Sequence, residues 1–315
     1  MTHVAPPILA VVCPVYNEEL VVTLFFDRIL PVMRLVSARY RIQLVFLNNA
    51  STDRTLEKIV LVREQWPETY VISMSRNFGY QASLECGLRT VDADLYAIID
   101  VDCEDPPEMI ARFVEKYEQG FDITYGERVD RPDPKPIKAG RKFFYRLLRK
   151  VADEDIVLDM AEFSLFTREV RDAIIDDRSS FPFLRASIGR VGFRRAALPF
   201  ARQTRIAGET HYNLLGMSIF ALAGLLSAST LLLRLPVYIL PFWLLTLGVL
   251  GAWSILAQSP WIALATFIVF AGYVGATLAF TALYVARDYK NGLQRPNAII
   301  DRRSSTLPPS RIAAP

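Results

Sequence analysis

The chain is poor in the features that mark several large functional classes. It has three cysteines in 315 residues, Cys13, Cys86 and Cys103. Their spacing fits no metal-ligand pattern and an odd number fits no disulfide framework, so a reducing compartment is expected. The formal net charge is only +3. That balance gives no reason to expect nucleic acid as a partner, although arginine gathers near the apolar segments, where membrane or phosphate contact is expected. Met1 to Pro7 lack the basic region and apolar stretch of a secretory leader, so the N-terminal part is expected to stay in the cytosol. Neither an internal repeat nor a low-complexity tract is apparent. Charge is missing altogether from two long segments, Leu235 to Gln258 and Pro260 to Ala286.

Those two segments exceed the ~20 residues needed to cross a bilayer. Hydrophobic residues make up 52% of the chain, and most of the excess lies after Asn213. The link Gln258-Ser259-Pro260 is uncharged, whereas Arg287, Lys290, Arg295, Arg302 and Arg303 follow the second segment. By the positive-inside rule both flanks belong on the cytosolic side, which requires an even number of crossings. Leu214 to Leu233, apolar but rich in Gly, Ser and Thr, is therefore assigned to the interface or to helix packing. The expected layout is a catalytic domain over 1–212, an interfacial or juxtamembrane helix over 213–234, two transmembrane helices over 235–286, and a cytosolic basic tail over 287–315.

From Ile8 to Asp100, short apolar runs alternate with amphipathic stretches, the pattern of strand-helix units with parallel strands. Strands are predicted at Ile8 to Cys13, Ile42 to Leu47, Tyr70 to Met74 and Leu95 to Ile99. Helices are predicted at Glu19 to Val36, Thr52 to Gln65 and Tyr80 to Arg89. In such a sheet ligands collect at the carboxyl ends of the strands. These ends carry Pro14-Val15-Tyr16-Asn17-Glu18, Asn48-Asn49-Ala50-Ser51, Ser75-Arg76-Asn77 and Asp100-Val101-Asp102. Further strands are predicted near Phe121 to Tyr125 and Phe163 to Thr167, separated by a Pro-rich loop, Arg131 to Pro136, and a basic helix, Lys138 to Lys150. A helix follows the second of these strands.

Asp100 and Asp102, two apart at a strand end and followed by Glu104-Asp105-Pro106-Pro107, can reach one hard cation such as Mg²⁺ or Mn²⁺ that also binds a diphosphate. Such an ion neutralises a departing nucleoside diphosphate. An isolated Asp-x-Asp is more often a solvated acidic turn. Its company changes that balance. The ordered motifs Val12-Cys13-Pro14-Val15-Tyr16-Asn17-Glu18-Glu19, Asn49-Ala50-Ser51-Thr52-Asp53, Ser75-Arg76-Asn77-Phe78-Gly79 and Asp100-Val101-Asp102-Cys103-Glu104-Asp105-Pro106-Pro107 resemble those of family 2 glycosyltransferases. The resemblance is to their polyprenyl-phosphate branch, which includes dolichyl-phosphate mannose synthase and bactoprenol glucosyltransferases. It extends through Tyr125-Gly126-Glu127-Arg128, Phe144-Tyr145-Arg146, Arg205 to Tyr212 and the apolar hairpin.

The resemblance implies a GT-A fold, an α/β domain with a Rossmann-like, mostly parallel sheet, joined to a C-terminal transmembrane hairpin. It also implies inverting transfer of a hexose from a nucleotide sugar to a polyisoprenyl phosphate, undecaprenyl or dolichyl, at the cytosolic face of a membrane. The bacterial inner membrane is the expected location. The implied donor is UDP-glucose-like, with GDP-mannose second, and a homo-oligomer is compatible with it. Carried over by position, Pro14, Tyr16, Glu18 and Asn49 surround the nucleoside. Asp100, Val101 and Asp102 meet the donor, with Asp100, Asp102 and Glu104 as metal ligands. Arg205 and His211 belong to a phosphate-binding loop, and Arg128 holds the acceptor phosphate, a role suited to a planar guanidinium.

Three departures from the family pattern stand out. Asn48-Asn49-Ala50-Ser51 replaces Asp-Asp-Gly-Ser, and an amide donates as well as accepts, leaving the nucleobase open. His211 replaces Lys, weakening a phosphate contact unless protonated. Asp159-Met160-Ala161-Glu162-Phe163 follows Asp-x-Gly-Asp-Phe only loosely, so Asp159 and Glu162 are either near the sugar or structural. The rival readings are a processive polysaccharide synthase, a glycolipid synthase with a hydroxyl acceptor, and a non-enzymatic membrane scaffold. A processive synthase usually carries Gln-x-x-Arg-Trp, which is missing here; a hydroxyl acceptor needs a general base; and intact Asp100 and Asp102 speak against a scaffold.

Overall fold

A computed structural model describes residues 5–129, 160–177, 182–206 and 229–309. The Pro-rich loop, the basic helix Lys138 to Lys150, Asp159, His211 and most of Leu214 to Leu233 lie outside the described residues. Seven strands form one sheet: β1 Ile8–Val15, β2 Arg41–Asn48, β3 Thr69–Ser73, β4 Leu95–Ile98, β5 Ile123–Val129, β6 Met160–Thr167 and β7 Arg195–Ala201. Their order is β3-β2-β1-β4-β6-β5-β7. β1, β2, β3 and β4 run parallel, β6 is antiparallel to β4 and β5, and β5 pairs parallel with β7. The sheet is thus mostly parallel, as expected for a GT-A domain.

Both faces of the sheet are covered, which is why its central strands read as unbroken apolar runs. On one face Leu9, Val11, Leu44 and Phe46 pack against Phe25 and Ile29 of α1 (Val22–Val36), Ile59 of α2 (Thr55–Gln65) and Phe113 of α4 (Met109–Glu118). On the other, Ala10, Val12, Val45 and Leu47 meet Leu84 and Leu88 of α3 (Tyr80–Thr90), Val170 of α5 (Arg168–Ile175) and Ile188 of α6 (Leu184–Val191). Each buried Val, Leu, Ile or Phe side chain here gains roughly 1.5–3 kcal/mol from leaving water. The sheet is therefore a fixed platform for the loops at its carboxyl edge.

Two long helices follow, α7 Leu231–Ala257 and α8 Pro260–Gly292, each long and apolar enough to cross a membrane. None of the most apolar stretch of either is buried within the protein. Apolar surface of that extent needs lipid or a partner. The helices pack on each other: the Trp243 and Tyr273 rings stack at 4.2 Å, and the Tyr273 hydroxyl donates to the Pro236 carbonyl at 2.9 Å. Trp243 is thus a packing residue. Tyr284, late in α8, donates to the Ser229 carbonyl just before α7, at 2.7 Å. The start of α7 and the end of α8 therefore lie at one end of the hairpin.

After α8 the chain returns to the sheet. Isolated antiparallel bridges join Ile300 to Met74 and Thr306 to Val71, on the outer edge of β3. An exposed strand edge leaves backbone groups open to foreign pairing, and here the chain's own tail covers it. The sheet and the tail consequently sit at the same end of the hairpin.

Candidate functional site

Three loops at the carboxyl edge each contain a non-glycine residue in the left-handed region: Asn17 (φ 55°), Ala50 (φ 59°) and Cys103 (φ 56°). That conformation costs about 1–2 kcal/mol where a Cβ is present, and surrounding contacts must hold it. They are visible after β1 and β2. Asn17 N–H donates to Ser51 Oγ at 3.0 Å, and Asn17 Oδ1 accepts from Thr52 N–H at 2.8 Å. Glu18 N–H donates to Thr55 Oγ1 at 2.8 Å, and Asp53 accepts from Glu19 N–H at 3.1 Å and Thr55 N–H at 3.0 Å. The motif from Asn49 to Asp53 thus stitches the first loop to the start of α2.

The residues expected around the nucleoside occupy different depths of this rim. Pro14 is buried within β1, paired in register with Leu47, while Tyr16 is exposed. Asn49 is buried, its amide donating to Asn77 Oδ1 at 2.8 Å and its carbonyl accepting from Phe78 N–H at 2.9 Å. A carboxylate at this position could not make the first of those bonds to an amide oxygen. Asn49 in this arrangement holds the loop Ser75 to Gly79, and the Arg76 guanidinium lies 3.9 Å over the Phe78 ring.

Asp100 and Asp102 follow β4, with Val101 between them turned into the apolar core. Asp100 accepts from the Tyr80 hydroxyl at 2.8 Å. Burial, aided by the charges of Asp102, Asp105 and Glu162, pushes the Asp100 carboxyl up to about 7, and the Tyr80 bond only partly offsets this. Burial likewise raises Asp102 and Asp105. For Asp102 the opposing pull comes from Arg205, Arg202 and Arg128, and for Asp105 chiefly from Arg128. Buried acids gathered this closely need positive charge beside them, which a guanidinium or a cation can supply. Among the described residues no three potential ligands are gathered to hold a metal ion. The expected ligands Asp100, Asp102 and Glu104 are thus not gathered into a three-ligand cluster by themselves.

Arginines meet these acids directly. Arg205 Nη2 lies 2.9 Å from Asp102 Oδ2 and Arg205 Nη1 lies 3.9 Å from Glu18. Arg202 pairs with Glu104. The backbone N–H groups of Gln203 and Ile206 donate to the Glu104 and Asp102 carbonyls at 2.9 Å and 3.0 Å, so the whole segment after β7 lies along the acidic loop. Arg128, on β5, grips Asp105 with Nη2 at 3.0 Å and 3.2 Å from its two oxygens. The structure thus brings Glu18, Asp100, Asp102, Glu104, Arg128 and Arg205 into one neighbourhood.

Reading the sequence alone misses Tyr80, Gln81, Arg185 and Arg202. Glu162 Oε1 lies 3.1 Å from Gln81 Nε2 and 2.8 Å from Arg185 Nε, and its Oε2 is buried without a hydrogen-bond partner. Because Glu162 raises both Asp100 and Tyr80, it belongs to this acidic neighbourhood. Tyr80 follows the Phe78-Gly79 turn and Arg202 precedes Arg205 by three residues, which were the available signals. Arg185 offered none.

Known proteins resemble this chain in sequence and in fold. The sequence model described as Glycosyl transferase family 2 matches residues 10–175. An uncharacterized glycosyltransferase of Bacillus subtilis is 31% identical over 93% of both chains. A prophage bactoprenol glucosyl transferase homolog of Escherichia coli is 30% identical, covering 93% of this chain and 98% of its own. Among solved structures, glucosyl-3-phosphoglycerate synthase of Mycobacterium tuberculosis overlays with a TM-score of 0.50 at 19% identity, over 70% of this chain and 79% of that one.

Proposed function

From this chain's membership of glycosyl transferase family 2, in which it is a glycosyltransferase joined to two apolar helices, we propose that it moves a hexose from a nucleotide sugar to a polyisoprenyl phosphate, inverting the anomeric centre, at the cytosolic face of a membrane. The observation that carries the reading is the meeting of Asp102 with Arg205 and of Glu104 with Arg202, on the loop that also holds Asp100. An acidic loop matched by guanidinium groups suits a diphosphate bound with its cation. The likeness to a bactoprenol glucosyl transferase homolog supports a polyprenyl acceptor and makes UDP-glucose the favoured donor, with GDP-mannose second.

Asp100, Asp102 and Glu104 would hold Mg²⁺ or Mn²⁺, which supplies charge to the leaving diphosphate. With a cation bound there, the Arg205 donors now held by Asp102 would be available to phosphate oxygens. Tyr80 fixes the orientation of Asp100 through its hydroxyl. A phosphate monoester has a second pKa near ~6, so the acceptor is dianionic at neutral pH and attacks without a protein base. The contributions left to the protein are alignment and leaving-group stabilisation. The deciding experiment is a donor screen: purified protein, radiolabelled nucleotide sugars and undecaprenyl phosphate, with the lipid extracted and counted. No label in the lipid with any donor sinks the proposal.

A further inference from the structure

The tail that follows the second apolar helix does more than cover a strand edge. Three of its contacts converge on Ser73, the last residue of β3. Ser73 N–H donates to Ser305 Oγ at 2.9 Å, Asp301 N–H donates to the Ser73 carbonyl at 2.8 Å, and the Ser73 hydroxyl donates to the Ser304 carbonyl at 2.8 Å. With its proton committed to the tail, the Ser73 oxygen is left to accept, and it does so from Asn48 Nδ2 at 3.2 Å. Asn48 Oδ1 then accepts from Ser51 N–H at 3.0 Å, and Ser51 Oγ accepts from Asn17 N–H. The relay is directional. The Ser73 hydroxyl sets the Asn48 amide, and the Asn48 amide in turn holds the Ser51 backbone.

A second line runs beside it. Ser75 N–H donates to the Ile299 carbonyl at 2.9 Å, so the loop Ser75 to Gly79 is held by the tail on one side and by Asn49 on the other. The ends of the tail are anchored too. Asn297 Nδ2 reaches Glu85 of α3 at 2.6 Å, and Thr306 exchanges both backbone bonds with Val71. Ala298 and Ile300 pack against the core on the α3 side of the sheet.

We propose that the segment Asn297 to Thr306 is a positioning element for the nucleoside end of the donor site, acting through Ser73 and Asn48 on the loops around Asn17, Asn49 and Asn77. This rests on the nucleotide-sugar reading above. It assigns a task to a segment lying beyond the membrane hairpin, far along the chain from the residues it sets. Ser305 is the informative position, because its hydroxyl both accepts from Ser73 N–H and donates to the Asp301 carbonyl at 2.6 Å. Replacing it strands a buried N–H, yet removes no core packing.

The test uses the full-length protein in detergent with lipid, and measures binding of UDP and GDP with Mg²⁺ alongside donor KM, lipid KM and thermal midpoint. Ser305→Ala should weaken nucleoside diphosphate binding and raise donor KM roughly three- to ten-fold, the scale of one lost buried hydrogen bond. Lipid KM should stay as in the parent, the thermal midpoint should fall by no more than about 4 °C for the stranded N–H, and Ser305→Thr should restore binding. Unchanged nucleotide affinity in Ser305→Ala overturns the proposal. So does a parallel rise in both Michaelis constants with a larger fall in midpoint, since that marks general loosening. If the parent binds nucleoside diphosphate but glycosylates no polyprenyl phosphate, the acceptor reading fails while this one is still decided by the binding data. If it binds none, both fall.

Discussion

Arg128 is the residue on which a structural role and a catalytic role compete most directly. Its guanidinium grips Asp105, whose side chain is only 3% exposed, and is itself 14% exposed. Removing one member of a buried pair typically costs ~3–5 kcal/mol, because the other charge is left without compensation. The slight exposure of Arg128 places Arg128→Ala near the lower end, at about 3 kcal/mol. For a domain of this size that corresponds to a fall of roughly 6–12 °C in thermal midpoint. Asp105→Asn removes the stranded charge, so the double variant Arg128→Ala/Asp105→Asn should regain most of that loss. The lipid KM then separates the two roles. If Arg128 also holds the acceptor phosphate, lipid KM stays raised in the stable double variant while donor KM returns to the parent value. Thermal unfolding in detergent and steady-state kinetics on both substrates read the whole cycle. An Arg128→Ala midpoint within about 2 °C of the parent would refute the buried-pair argument.

Three further outcomes follow from the same geometry. A Cβ on Gly126 would lie 2.5 Å from Cε1 of the buried Phe200 ring, so Gly126→Ala should cost ~1–3 kcal/mol and disturb β7 and the Arg202–Arg205 segment behind it. A chemical-denaturation midpoint equal to the parent's would show that the ring yields freely. Asp102→Asn should leave the fold intact but lower transfer by several kcal/mol of transition-state stabilisation, with excess EDTA doing the same to the parent; normal turnover in either case removes the metal assignment. Cysteines placed at Ser259 and at Arg302 should label from opposite faces of sealed vesicles, because the tail shares a hairpin end with the sheet. Labelling from one face contradicts the two-crossing arrangement.

The parts of the fold that could be read in the sequence are those where local pattern and burial agree. β1, β2 and β4 are covered on both faces, so their apolar runs were unmistakable, and their ends fell within two residues of the expected positions. β7 was missed because it lies at an edge, alternates exposed with buried residues and contains Pro199. α4 was missed behind Pro106-Pro107, although Met109, Ile110, Phe113 and Val114 form a helical stripe. The span read as Leu235 to Gln258 begins earlier, at Leu231, because Arg234 and Pro236 fall within the first turns and do not stop the helix. In the site, strand-end placement put Glu18 and the Asp100 to Asp102 turn on one rim, where Glu18 and Asp102 both face Arg205. It could not foretell which arginines among 36 basic residues would face them, since partner choice depends on how β5 and β7 are aligned. The docking of Asn297 to Thr306 left no periodic signal at all, being made of backbone bonds and small polar side chains.

The central claim is that the acceptor is a lipid phosphate, and the most direct measurement compares undecaprenyl phosphate with undecaprenol as acceptors for the purified protein under identical donor and Mg²⁺. A dianionic phosphate is already nucleophilic and can be met by Arg128 and Arg205, whereas the alcohol needs a base to lose its proton. Label should therefore enter the phosphate and not the alcohol, by a factor of roughly 100 or more, the least that a positioned general base usually contributes. Equal glycosylation of undecaprenol would contradict the account and direct attention to Glu162, whose buried Oε2 lacks a hydrogen-bond partner, as the missing base.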